Sequence, residues 1–411
     1  MKTKRIIGTV AFLLILTGTV IGLMNITARK DSRDQFAGFY ESKEEFDVLF
    51  LGSSQMYRSV YPMELWDEYG ITSYNMGASG SLQPENYWIL KNALLYHKPR
   101  LVVVDTRGVN INGKTASDSE RIHEALDTMP LTKTKIEAVE DLIDTKEARW
   151  EYFFPFSVFH NRWEELNEND FIKFQDKKLK GAILIPYAAP YEYELIEDYP
   201  ITYGETVNVQ YLRKIIELCQ SEDIEVLMVK TPCVADAEGQ AWTEAVRVLA
   251  DEYGINYLNY LKDDYDIVDF SYDFSDIQHL NVSGGTKFTT CIGAYLQKTY
   301  HLENQKENHE IADTWNEDYK TYMEYKEQLL CNQSELTYYL AMLKMRHFDT
   351  RISIRKDSVY LSDEQVMKMI QNLELDDGDI QYVDEINEDG ADLEFTVYND
   401  MTGNLVEHRF F

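Results

Sequence analysis

Between Phe46 and about Tyr300, short β-branched or apolar runs alternate with segments whose apolar residues recur every three or four positions, and this alternation constrains the fold more than any other feature of the chain. Strands separated by helices cannot be joined by tight turns, so they align in parallel and bury both faces of their sheet beneath the helices. Strands are predicted over residues 46–51, 71–76, 101–105, 224–230 and 255–258, and helices over 62–69, 84–96, 207–221, 240–253 and 283–300. The expected fold class is α/β: a three-layer, doubly wound, flavodoxin-like parallel sheet of five strands spanning 31–300. An insertion over about 110–203 is too long for an ordinary connection. Its aromatics from Trp150 to Trp163 fit a lid or substrate wall, and equally fit plain packing onto the sheet. Beyond Tyr300 a helical connector (301–345) leads to a small α+β appendage (346–411). The appendage has predicted strands at 351–355 and 393–398 and a helix opening at the capping box Ser362-x-x-Gln365.

Residues 6–24 carry no charge. At a helical rise of about 1.5 Å such a run spans the ~30 Å hydrocarbon core of a bilayer. Lys2, Lys4 and Arg5 precede it, which keeps the N-terminus cytoplasmic and places the rest outside. No small-residue cleavage site follows, since Asn25, Ile26, Thr27 and Ala28 lead into Arg29 and Lys30. Residues 1–30 are therefore read as a single-pass signal anchor in the cell membrane, the body lying on the extracytoplasmic side, or secreted if the segment is cleaved. A buried core helix and a signal peptide are the alternatives. The net charge of −31 repels the phosphate backbone that drives nucleic-acid binding, so no nucleic-acid partner is expected. The four cysteines form no C-x-x-C pair and the histidines show no metal spacing; neither metal nor cofactor is expected.

The chemistry concentrates at strand ends. Gly52-Ser53-Ser54 follows the first strand, where open α/β sheets place their sites. Near the other end of the same unit lies Asp276-Ile277-Gln278-His279, a spacing that lets one loop supply an imidazole and the carboxylate that orients it. Ser54 is the predicted nucleophile, His279 its base and Asp276 the support. The developing oxyanion would be met by the N–H groups of Ser54 and Gly77 and by the amide of Asn110. In the insertion, His160, Arg162 and Trp163 could hold a sugar or carboxylate near Ser54, or form a structural cluster. A competing motif spans 108–115, where Gly108, Gly113, Lys114 and Thr115 satisfy the phosphate-loop pattern. The polar, acidic residues 116–120 stand where a packing helix should follow.

Taken together, Gly52-Ser53-Ser54, Asn75-Met76-Gly77 and Asp276-x-x-His279 resemble the serine, glycine and final blocks of the SGNH (GDSL-type) hydrolase superfamily, over about Asp47 to Tyr300. Ser53 stands where many members have aspartate, and Gly108-Val109-Asn110 only loosely matches the third block. With an anchored body, the chain looks most like the branch of the alginate acetylation proteins and the teichoic-acid D-alanyl transfer protein. That resemblance implies a serine esterase or O-acyltransferase acting through an acyl-serine on cell-surface or exported glycan, beside a multi-pass membrane O-acyltransferase. A glycan-binding partner without catalysis is the alternative from another class.

Overall fold

The computed structural model describes residues 2–27, 31–115, 119–171, 178–196, 199–200 and 204–411. Strands β1 (Val48–Leu51), β2 (Ser73–Asn75), β3 (Leu101–Asp105), β4 (Glu225–Lys230) and β5 (Asn256–Asn259) form one sheet in the order β2-β1-β3-β4-β5. All its ladders are parallel, with Val48 opposite both Ser73 and Leu101. Every residue of β1 and β3 is buried, which is why these strands read as continuous apolar runs rather than alternating ones. The sheet with its flanking helices is the α/β architecture the alternation predicts. Its strand order reverses between β1 and β3, opening a crevice at the carboxyl ends of those two strands.

Local chemistry sets the helix boundaries. Pro62 opens Pro62–Tyr69, and Gly70 closes it at φ +67, a left-handed conformation that costs glycine little. Thr206 Oγ1 accepts Val209 N–H at 3.1 Å to start Val207–Ser221. Asp236 accepts Gly239 N–H, so the helix predicted from 240 begins earlier, as Ala237–Tyr253. The helix predicted over 84–96 is Gln83–Ala93, followed by a turn. Strands β6 (Phe274–Asp276) and β7 (His279–Leu280) make a small hairpin before the last helix of the unit, Val282–Tyr300.

The chain after Tyr300 is fused to this unit by buried contacts. Helix His309–Cys331 buries Trp315 against Trp66, ring centroids 5.3 Å apart. Its Lys326 Nζ sits 2.9 Å from Glu64 Oε1, both side chains being almost inaccessible, and Tyr322 O–H donates to the same oxygen. Strands β8 (Phe348–Arg355), β9 (Ile380–Val383), β10 (Leu393–Asn399) and β11 (Asn404–Phe410) form a second sheet in the order β11-β10-β8-β9. β9 and β11 escape sequence reading because they are edge strands with little buried surface and no clean alternation. The cap predicted at Ser362 is instead Asp363, whose side chain accepts Val366 N–H at 3.1 Å; Ser362 ends a preceding 3-10 turn.

The N-terminal helix, Lys2–Thr27, is long and apolar enough over Lys4–Met24 to cross a membrane by length and composition. Leu14 and Ile15 are about 70% exposed, so this is not a core helix. Ala28, Arg29 and Lys30, on which the reading of cleavage turned, lie outside the described residues, as do residues 116–118.

Candidate active site

The turn after β1 is tightly specified. A Cβ on Gly52 would come within 2.8 Å of Asp105 Cβ and 2.9 Å of Met56 Cβ, so the close approach of β1 to β3 requires glycine. Ser53 Oγ accepts Gln55 N–H at 3.2 Å and caps the short helix Ser54–Tyr57. Ser54 is the first residue of that helix, so its own N–H is one of the donors a helix start leaves unused. Asn75, at the end of β2, clamps the turn from below. Its Nδ2 donates to Met56 O (3.1 Å) and Val60 O (3.2 Å).

The hairpin β6–β7 presents the other half. Buried Asp273 organises it: its carboxylate accepts from Lys287 Nζ (2.7 Å), Ser283 Oγ (2.7 Å) and Asp269 N–H (2.7 Å). Asn281 Oδ1 caps the following helix by accepting from Ser283 and Gly284 N–H. The extended return of the insertion ties the two halves together. Asn75 N–H donates to Lys180 O, Ile183 N–H to Tyr57 O, and Val282 N–H to Ile185 O, at 2.8–2.9 Å.

So held, Ser54 Oγ lies 2.7 Å from His279 Nε2, across 225 positions of sequence. His279 Nδ1 lies 2.7 and 2.8 Å from the two oxygens of Asp276. With Nδ1–H donating to Asp276, Nε2 is the acceptor facing the Ser54 hydroxyl. Burial pulls the His279 pKa below its usual value, and the charges of Arg58 and Arg107 add to this, outweighing Asp276. The imidazole is therefore neutral, and able to take a proton, at neutral pH. Burial alone would raise the Asp276 pKa. Hydrogen bonds from Gln278 N–H and His279, with the charges of His279 and Arg58, instead hold it below the ordinary range.

The other predicted residues fare differently. Gly77 is beside the serine turn, but its N–H donates to Asn75 Oδ1 at 3.1 Å and is not left for an oxyanion. Asn110 is exposed, on the rim of a cavity of about 430 Å³ that also touches Gln55 and Gln278, the sequence neighbours of Ser54 and His279. Arg162 turns away to the N-terminal helix, donating to Thr27 O (2.9 Å) and pairing with Asp170 (3.0 Å). His160 contacts Ser157 O, and Trp163 is exposed; none of the three lines the cavity. The phosphate-loop reading fails on geometry. Lys114 pairs with Asp141 at 2.8 Å, and Ile111 and Gly113 carbonyls are taken up by Asn208 Nδ2.

Sequence reasoning missed Arg58, Arg107, Gln55 and Lys230. Arg58 Nη1 is 3.6 Å from Asp276 Oδ2. It stands four residues after Ser54, a helical spacing that could have flagged it. Lys230 Nζ donates to Gln55 Oε1 at 2.9 Å inside the cavity, and Arg107 lines the same wall. A larger cavity of about 840 Å³ lies elsewhere, around Lys180, Trp315 and Asp318, where Lys180 is already paired with Glu44 and Asp318. No cluster of three metal-ligating side chains occurs among the described residues.

No protein-family model and no curated protein matches the chain. Among solved structures, one from Bacteroides fragilis NCTC 9343, provisionally described as an acylhydrolase, is similar at 11% identity and a TM-score of 0.36, over 66% of this chain and 99% of its own. Another from Streptococcus pneumoniae, provisionally described as a platelet activating factor, is similar at 13% identity and a TM-score of 0.32, over 70% of this chain and 99% of its own. At these values the likeness assigns neither activity nor residue roles.

Proposed function

We propose that the chain is an SGNH-type serine esterase or O-acyltransferase, anchored in a membrane by its N-terminal helix with its body on the extracytoplasmic side, that acts on acyl esters of cell-surface or exported glycan. The observation that carries this reading is the 2.7 Å approach of Ser54 Oγ to an imidazole whose other nitrogen is held by Asp276. Ser54 attacks the ester carbonyl while its proton passes to His279 Nε2. The tetrahedral oxyanion is met by Ser54 N–H. His279 then returns the proton to the departing alcohol oxygen as the carbon–oxygen bond breaks, leaving acyl-Ser54. Water or a sugar hydroxyl gives its proton to His279, attacks the acyl carbon and releases Ser54 with its proton restored. Asp276 stays ionised and stabilises the transient imidazolium.

Incubating the full chain with an aryl acetate and an O-acetylated glycan tests this reading. Acetate release or transfer should fall by about 10²-fold or more in Ser54→Ala. Turnover that does not depend on Ser54, or none with either substrate, contradicts it.

A further inference from the structure

The N-terminal helix does not stand clear of the body. Val20, Gly22, Met24 and Ile26 are half-buried and Thr27 is buried, whereas residues 4–19 are exposed all round. What covers the last turns is the aromatic part of the insertion. Phe156–Phe159 and His160–Glu164 both pack on this helix, and Arg162 donates to its final carbonyl region at Thr27 O. The apolar window ends at Met24, so Thr27 is three residues, about 4.5 Å, beyond the hydrocarbon edge. Val20 and Gly22 lie inside that edge. With Lys4–Met24 taken as the span, segments packed on the last turns of this helix would lie at the depth of the lipid headgroups.

Two of the large side chains exposed there have the chemistry of that layer, while the exposed Glu164, Glu165 and Glu168 must face the water side of it. Trp163, next to Arg162, is 64% exposed, and Phe171, next to the Asp170 that pairs with Arg162, is 66% exposed. In water, large exposed rings are costly to leave uncovered. At a bilayer boundary an indole buries its ring and keeps its N–H wet, and a guanidinium reaches the phosphates. We propose that residues 156–171 are seated in the headgroup layer of the bilayer crossed by the N-terminal helix, with Trp163 and Phe171 inserted and Arg162 closing the helix end at the same depth. The surface is continuous with the helix, and its occupant is lipid. This rests on reading Lys2–Thr27 as membrane-spanning.

The test uses the full chain in vesicles of phosphatidylcholine, with or without bromine near the top of one acyl chain. Bromine quenches only indoles it touches; Trp66, Trp88, Trp242 and Trp315 are buried in the body, and the exposed Trp150 is replaced by Phe in every sample so that Trp163 is the exposed indole that is read. Alkaline carbonate extraction is run in parallel. Quenching in brominated vesicles that falls by half or more in Trp163→Phe, with the protein retained after carbonate, supports the seating. Retention with quenching unchanged by Trp163→Phe overturns the seating and leaves the anchor standing. Release by carbonate with no quenching removes the anchor and the seating together.

Discussion

Burial and Arg58 together lower the pH at which His279 changes charge. Burial is the larger influence, but the guanidinium beside Asp276 also disfavours the imidazolium. Activity that needs neutral His279 rises with pH through its folded pKa, and that pKa is depressed. The acid limb of kcat/KM is therefore expected below about 6.5, the unperturbed histidine value. Arg58→Met removes a lowering influence, so the His279 pKa rises and the limb moves to higher pH. A pH–rate profile of both forms checks this; an unmoved limb, or one moved to lower pH, contradicts it.

Ser54 and His279 meet only if the turn after β1 and the β6–β7 hairpin are held in register. Asn75 makes three side-chain hydrogen bonds from one buried position. Asn75→Ala strands two carbonyls and the Gly77 N–H, and is expected to cost about 3 kcal/mol in thermal or denaturant melts and to lower activity as the serine turn loosens. Loss of activity without loss of stability would contradict this clamp. The same elements show what sequence could and could not reveal. The five parallel strands and most helix boundaries were legible because burial on both faces leaves near-continuous apolar runs, and caps such as Thr206 and Asn281 act on neighbours two or three positions away. Ser54, Asp276 and His279 were legible as short motifs at strand ends. The bond from Gly77 N–H to Asn75 Oδ1 was not legible, because it depends on how the Asn75 side chain is turned. Of the two readings of His160, Arg162 and Trp163, the structural one fits Arg162, but its partner, 135 positions away at Thr27, was not legible. Local composition carries no record of such contacts.

Across the whole molecule, the C-terminal part is docked by charge as well as by Trp315. Asp67 accepts from Arg346 Nε and His347 Nε2, each at 2.8 Å, and His347 Nδ1 reaches Asp400 at 2.6 Å. Burial would lower the His347 pKa, yet the hydrogen bonds and charges of Asp67 and Asp400 carry it above the usual value. Asp67 is partly buried, which would raise its pKa, but hydrogen bonds and charges from His347 and Arg346 hold it well below the carboxylate range. A raised histidine stabilises fully below its unfolded pKa, about 6.5, and loses that contribution as pH rises through the folded value; a depressed carboxylate contributes above about 3.9 and loses it as pH falls. The clamp is therefore strongest between these limits. The melting temperature should decline from pH 6 to pH 8 more steeply in the wild type than in His347→Gln, as differential scanning fluorimetry would show. Parallel slopes would contradict this.

The convergence of Ser54 and His279 matters only if it makes the hydroxyl reactive. Treating the folded full chain with a fluorophosphonate, then mapping the adduct by peptide mass spectrometry, tests that claim most directly. The predicted result is one phosphonylated residue, Ser54, with labelling lost in Ser54→Ala and strongly slowed in His279→Ala. Folded protein that stays unlabelled, or carries the adduct at a serine other than Ser54, would contradict it.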